Sequence, residues 1–162
     1  MAATSVRSVP TDLLPHLRRA RDHADRNYRE PLDLPALARV AGVSRYHFVR
    51  CFEAAYGTTP MRYLTRRRIE RAQDLLRHAN LTVTEVCMAV GFTSLGSFST
   101  RFTALVGESP RAYRDRWAAR GAAHVPGCWL FMRGVLDPAG TAAPIAQSGR
   151  SPGRSGPPTI SA

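Results

Sequence analysis

The sequence predicts an all-α chain of seven helices, and three observations predict it. Apolar residues recur at spacings of three and four from the first leucines to about residue 120, the period of a helix with one buried face. The breaks in that pattern fall at proline and glycine, and no stretch reads convincingly as a strand. The third observation is internal repetition: GVSRYHFVRCFEAAYGTTPMRY, Gly42 to Tyr63, returns as GFTSLGSFSTRFTALVGESPRAY, Gly91 to Tyr113.

Taken in order, Leu13, Leu17, Ala20, Ala24 and Tyr28 share one face of a first helix that ends before Pro31. Asp33 caps the second, with Pro35 tolerated in its first turn. Its buried face is Leu34, Leu37, Ala38 and Ala41, and Gly42 stops it. Ser44 caps a third helix that runs to Tyr56 and turns Phe48, Cys51, Phe52 and Ala55 inward. Thr59 and Pro60 open a longer fourth helix to about His78, in the cap-then-proline arrangement where the missing proline N–H costs nothing. Thr82 and Glu85 have capping-box spacing for the fifth helix. Thr93 or Ser94 caps the sixth, and Ser109 with Pro110 opens the seventh.

The repeat has a fixed register. Phe48, Phe52, Gly57, Pro60 and Tyr63 correspond to Phe98, Phe102, Gly107, Pro110 and Tyr113 at an offset of 50. Ahead of the turn the offset is 49: Leu34, Leu37, Val40 and Gly42 meet Val83, Val86, Ala89 and Gly91, so the second turn holds one extra residue. The repeated unit is helix, short glycine turn, helix. In such a unit the second helix lies in the major groove of DNA and the first braces it. The predicted architecture is therefore two helix-turn-helix subdomains, about 10–59 and 79–118, joined by a connecting helix over about 60–78. Successive major-groove faces on one side of B-DNA lie about 34 to 36 Å apart, and a stiff helix suits that span. Duplication then takes the place of a dimer.

The outward faces name the candidate readers. Arg45, Tyr46, Val49 and Arg50 lie away from the Phe48/Phe52 side; arginine pairs bidentately with guanine and apolar atoms meet thymine methyls. Leu95, Gly96, Ser99 and Thr100 are exposed on the second reading helix, where short side chains permit close approach and readout by shape. Ser44, Thr93 and Ser94 stand at helix N-termini, which favour phosphate. Arg66 and Arg67 are candidate phosphate contacts on the connecting helix. With Arg68 they form a run of three that one face cannot present together, and the competing roles are plain solvated surface or a salt bridge to Glu70 or Asp74. Arg101 is a further phosphate candidate, and it, Arg111 and Arg114 are open to the same competing readings.

Composition supports a polyanionic partner. All 23 basic residues are arginine, against 12 acids, for a net charge of +11. A GC-rich genome also writes arginine and alanine, so charge alone does not decide the matter. Cys51, Cys87 and Cys128 are scattered and never form a CxxC pair, which suggests neither a disulfide framework nor a zinc knuckle and fits a reducing cytoplasm. His47 and Cys51 stand four apart but lack further ligands, so no metal or other cofactor is expected. There is no apolar run of signal-peptide or membrane-spanning length. No Ser/His/Asp set, phosphate loop or pair of catalytic carboxylates stands out, and enzymatic activity is not expected.

Composition also shifts near residue 120. The last 42 residues hold 7 of the 12 glycines and 6 of the 12 prolines, but only 4 of the 35 charged side chains. A short apolar extension over 119–140, containing VPGCWLFMRGVL, precedes a tail over 141–162 with no core periodicity, expected to be disordered.

The stretches AGVSRYHFVRCFEAAYGTTPMRYLTRRRIERAQDLL and TVTEVCMAVGFTSLGSFSTRFTALVGESPRAYR resemble the AraC/XylS family of bacterial transcription regulators, over about residues 10 to 117. The second stretch is highly specific for that family's C-terminal signature. The resemblance implies that Tyr46, Val49 and Arg50 face bases from the first reading helix, and that Leu95, Gly96, Ser99 and Thr100 face the second groove. The sequence departs from the family at Val49 and Thr100, where many members carry a longer polar or basic side chain. Many members have a sensing or dimerising domain ahead of this unit, for which 162 residues leave no room. The chain thus looks like a short member: a monomer on asymmetric promoter sites in double-stranded DNA that recruits RNA polymerase as an activator, with repression open. The competing function is a helical interaction module that sequesters other regulators and uses the apolar strip as its dock.

Overall fold

The computed structural model describes residues 9–121. Among these it contains seven α-helices and no strand: α1 (Leu14–Arg26), α2 (Leu34–Ala41), α3 (Arg45–Tyr56), α4 (Pro60–His78), α5 (Val83–Ala89), α6 (Leu95–Val106) and α7 (Pro110–Ala118). None is long and apolar enough to cross a membrane. The apolar strip from residue 125, the tail over 141–162 and Cys128 lie outside the described residues.

The caps form where local chemistry places them. Asp33 Oδ1 accepts the Ala36 N–H at 2.8 Å, and the side chains of Ser44, Ser94 and Ser109 each accept the N–H three residues on. Each satisfies one of the donors that a helix start leaves orphaned. Thr82 and Glu85 complete a reciprocal capping box. Two local readings differ from expectation. Thr59 makes no side-chain cap, so α4 starts on the fixed φ of Pro60 alone. The first helix ends at Arg26, and at its C-cap the Asn27 carboxamide shares the His23 carbonyl with the Asn27 backbone N–H. Tyr28 is therefore a loop residue.

Two clusters of buried residues organise the fold. The first joins Leu17, Ala20 and Ala24 of α1, Leu37, Ala38 and Ala41 of α2, Phe48, Cys51 and Phe52 of α3, and Leu64 of α4. The second joins Ile69, Ala72 and Leu76 of α4 with Val86, Cys87, Phe98, Phe102 and Tyr113. The same aromatic chain runs through both. Ring centroids lie 5.4 Å apart for Phe48–Phe52 and 5.8 Å for Phe52–Tyr63. They lie 5.7 Å apart for Phe98–Phe102 and 5.5 Å for Phe102–Tyr113. Three of the four pairs are edge-on and Phe98–Phe102 is tilted; such aromatic pairs add about 0.5 to 1.5 kcal/mol each beyond the area they bury.

Helix α4 serves both clusters. Its early residue Leu64 closes the first, while Ile69, Ala72 and Leu76 repeat in the second the three-then-four spacing of Leu17, Ala20 and Ala24 in the first. The repeat is thus three helices long: α1–α2–α3, then the later part of α4 with α5 and α6. Tyr28, in the loop after α1, is half-buried and packs against both clusters.

Candidate nucleic-acid interface

Each helix-turn-helix presents a twelve-residue second helix, α3 or α6, capped by serine and stopped by glycine. Phe48, Cys51 and Phe52 hold α3 by one face, and Phe98 and Phe102 hold α6. The opposite faces are open. On α3, Arg45, Tyr46 and Arg50 are exposed, Tyr46 at 86%, and Val49 is half-buried. On α6, Leu95 is 44% exposed, Gly96 and Thr100 are exposed, and Ser99 is half-buried. The expected residues therefore share the outward side of their helices.

At the N-termini, Ser44 Oγ accepts the His47 N–H and Ser94 Oγ accepts the Ser97 N–H, each at 3.4 Å. Ser94 is the cap; Thr93 sits exposed beside it in the turn. The first turns of α3 and α6 contain no acid, so neither helix offsets the positive end of its own dipole with a carboxylate there. Between Gly42 and Ser44 lies one residue, and between Gly91 and Ser94 lie two, which is the extra residue read from the repeat.

The arginines divide into free and committed groups. Among the described residues, Arg45, Arg50 and Arg101 form no ion pair and are exposed. Arg66 pairs with Glu70 at 3.2 Å but keeps 74% of its side-chain exposure. Arg67 is more constrained: its Nε lies 3.2 Å from Asp25 Oδ1, out of line for a hydrogen bond, and its Nη1 lies 3.4 Å from Glu70 Oε2. Asp25 also accepts from the Tyr63 hydroxyl at 3.0 Å. Burial, reinforced by that bond, pushes the Tyr63 phenol up to about 12. Arg111 lies 3.8 Å from Asp115, and Arg114 hydrogen-bonds the same carboxylate at 3.1 Å.

Arg68, grouped in sequence with its two neighbours, points elsewhere. Its Nε donates to the Tyr28 carbonyl and its Nη2 to the Glu30 carbonyl, both at 2.7 Å. Burial pulls its pKa below the usual arginine value. No local pattern signals this role, because the acceptors lie 40 and 38 residues away.

The His47 ring approaches Cys51 Sγ to 3.6 Å, and among the described residues no three His, Cys, Asp or Glu side chains gather as a metal site would require. Cys87 is buried, which pushes its thiol up and away from the reactive thiolate form.

Residues 37–116 match a helix-turn-helix domain family. The chain is similar to the crystal structure of a transcriptional regulator from Chromobacterium violaceum of the AraC-type DNA-binding class. Identity is 30%, the TM-score is 0.60, and 67% of this chain and 97% of that one are covered. It is also similar to the DNA-binding domain of AdpA, a global transcriptional factor solved in complex with a target DNA. There identity is 33%, the TM-score is 0.59, and coverage is 67% of this chain and 94% of that one. The chain belongs to the AraC family of transcription regulators. Among longer AraC-family relatives is the MmsAB operon regulatory protein of Pseudomonas aeruginosa, 38% identical over 85 residues, which are 52% of this chain and 28% of that protein. The chain spans 24 to 31% of the length of the curated relatives it matches first, at 34 to 38% identity.

Proposed function

We propose that this AraC-type unit binds an asymmetric promoter site in double-stranded DNA as a monomer, with α3 and α6 in successive major grooves. One observation carries the reading: two serine-capped helices of equal length, each open on the side opposite its aromatic core, are built on one shared helix. The 19 residues of α4 span about 28 Å at 1.5 Å each, suited to grooves about one turn apart. The solved complex of AdpA with its target DNA supports the same partner class for this chain.

In this reading Arg50 and Arg45 pair with base edges, Tyr46 and Val49 supply apolar contact, and Leu95, Gly96, Ser99 and Thr100 line the second groove. Backbone N–H groups at Ser44, Thr93 and Ser94, with Arg66 and Arg101, hold phosphates and set register. Arg67 joins them only by exchanging Asp25 and Glu70 for phosphate, so its share is smaller. Bound in this way the protein acts in the cytoplasm as an activator that places RNA polymerase, with no chemistry of its own.

Selection of bound duplexes from a random library by the purified protein at about 150 mM salt, which suppresses purely electrostatic binding, tests the reading. Two unequal blocks centred about one helical turn apart are expected. A single enriched block would remove α6 as a reader, and no enrichment would favour a protein-interaction module.

A further inference from the structure

The loop after α1 is held in a junction made from both halves of the molecule. Arg68, ninth of the 19 residues of α4, sends its fork to the carbonyls of Tyr28 and Glu30. The same guanidinium lies 5.8 Å from the centre of the Phe92 ring, in the second turn. Beside it, Gly91 approaches the loop backbone so closely that a Cβ there would sit 2.5 Å from the Arg29 carbonyl oxygen. Tyr28 packs against both cores, and its hydroxyl accepts from Arg29 Nε at 3.1 Å. The α1–α2 loop is thereby pinned between the middle of the connecting helix and the turn that launches the second reader.

We infer that Arg68 and Gly91 are positioning residues that fix α6 relative to α3 and so set the spacing of DNA half-sites the protein accepts. The inference rests on the two-groove reading above. Its physical basis is leverage. Moving one half-site by a single base pair shifts it about 3.4 Å and rotates it by about 34°. A pinned junction cannot follow such a move, so the DNA must deform or one reader must disengage. A loosened junction can follow it. Neither residue is among those assigned to bases or phosphates in that reading.

Two measurements keep the junction and the DNA reading apart. The first needs no DNA: spin labels at Ala54→Cys and Ala104→Cys, exposed positions on α3 and α6, in a Cys128→Ser background, report the distance between the readers. A narrow distribution is expected for the parent protein and a broad or displaced one for Arg68→Ala. Arg68→Lys should fall between, because an ammonium cannot match the planar fork that spans both carbonyls. The second measures affinity of unlabelled protein for duplexes built from the selected half-sites, with their separation changed by one and two base pairs. The parent should lose about tenfold or more per base pair, and Arg68→Ala should lose less than about threefold while binding the best spacing more weakly.

Gly91→Ala is the second variant, with Gly42→Ala as its control. Both positions have positive φ, but a Cβ at Gly42 meets nothing nearer than His16 Nδ1 at 3.9 Å. Backbone strain is therefore shared, and only Gly91→Ala drives the loop off the turn. Folding of each variant is read from helical content, and Gly91→Ala carries the test should Arg68→Ala not fold. An unchanged distance distribution in Arg68→Ala and Gly91→Ala overturns the junction itself. A changed distribution with an unchanged spacing preference overturns its role in spacing and throws doubt on the two-groove reading. Both readouts moving together, with Gly42→Ala like the parent, supports the inference.

Discussion

Truncating Phe102 to alanine should destabilise the protein by about 3 to 5 kcal/mol. The side chain is fully buried, so removing the ring forfeits about 2 to 3 kcal/mol of transfer free energy. It also breaks ring contacts to Phe98 and Tyr113, at 5.7 and 5.5 Å between centroids, worth about 0.5 to 1.5 kcal/mol each. Relaxation around the cavity returns part of that sum. Phe52 occupies the matching place in the first core, with neighbours at 5.4 and 5.8 Å, so Phe52→Ala should lose a similar amount. Urea unfolding followed by circular dichroism gives both values. Trp117, packed on Tyr113 at 6.2 Å, reports the second core by fluorescence once Trp129 is replaced by phenylalanine. Losses below about 1 kcal/mol at either position would refute the account of two equivalent aromatic cores.

The Tyr63 phenol, pushed up to about 12 from 10.0 by burial and its bond to Asp25, should contribute stability that is complete below pH 10 and is lost as pH rises through 12. Absorbance near 295 nm should show a late phenolate that Tyr63→Phe removes, and a late phase unchanged by Tyr63→Phe would contradict it. Glu85 is held below the usual carboxylate range by the Thr82 N–H and hydroxyl. Its contribution should be present above the unfolded value and fade as pH falls through the folded one. Thr82→Ala should cost about 0.5 to 2 kcal/mol at neutral pH and flatten the acid limb of a Tm-against-pH curve; an unaltered limb would count against the box. Arg50→Ala should cost about 1 to 3 kcal/mol in DNA binding and relax specificity in one block only. Library selection would oppose this by showing equal weakening at every sequence.

Much of this molecule is written locally. Asp33, Ser44, Ser94, Ser109 and the Thr82/Glu85 pair announce helix starts because each bond reaches only three residues along the chain. The 50-residue offset exposes both aromatic cores for the same reason: identical side chains at identical spacing pack alike. Three features were not legible. The end of α1 at Arg26, with Asn27 as a cap bonded through its side chain, is marked by no spacing rule. Arg68 looks like its neighbours until the fold brings a loop 40 residues distant beneath it. The shared role of α4 was hidden because its apolar positions continue in one helix from Leu64 to Leu76, whereas the division between cores is a tertiary fact. The sequence named the outward faces of α3 and α6 as readers, but among the phosphate candidates it could not separate the committed Arg67 from the free Arg101.

The double service of α4 has a consequence for how the molecule can be cut. Leu64 and Ile69 are five positions apart on one rod, yet each closes a different core. A fragment beginning at Leu81 would carry the second turn and both its helices but forfeit Ile69, Ala72 and Leu76, the floor on which they rest. A fragment ending at Gly57 would leave the first core without Leu64. Each half becomes complete only when α4 is counted in both, so the two halves are modules that overlap, and no single scission point yields two intact pieces.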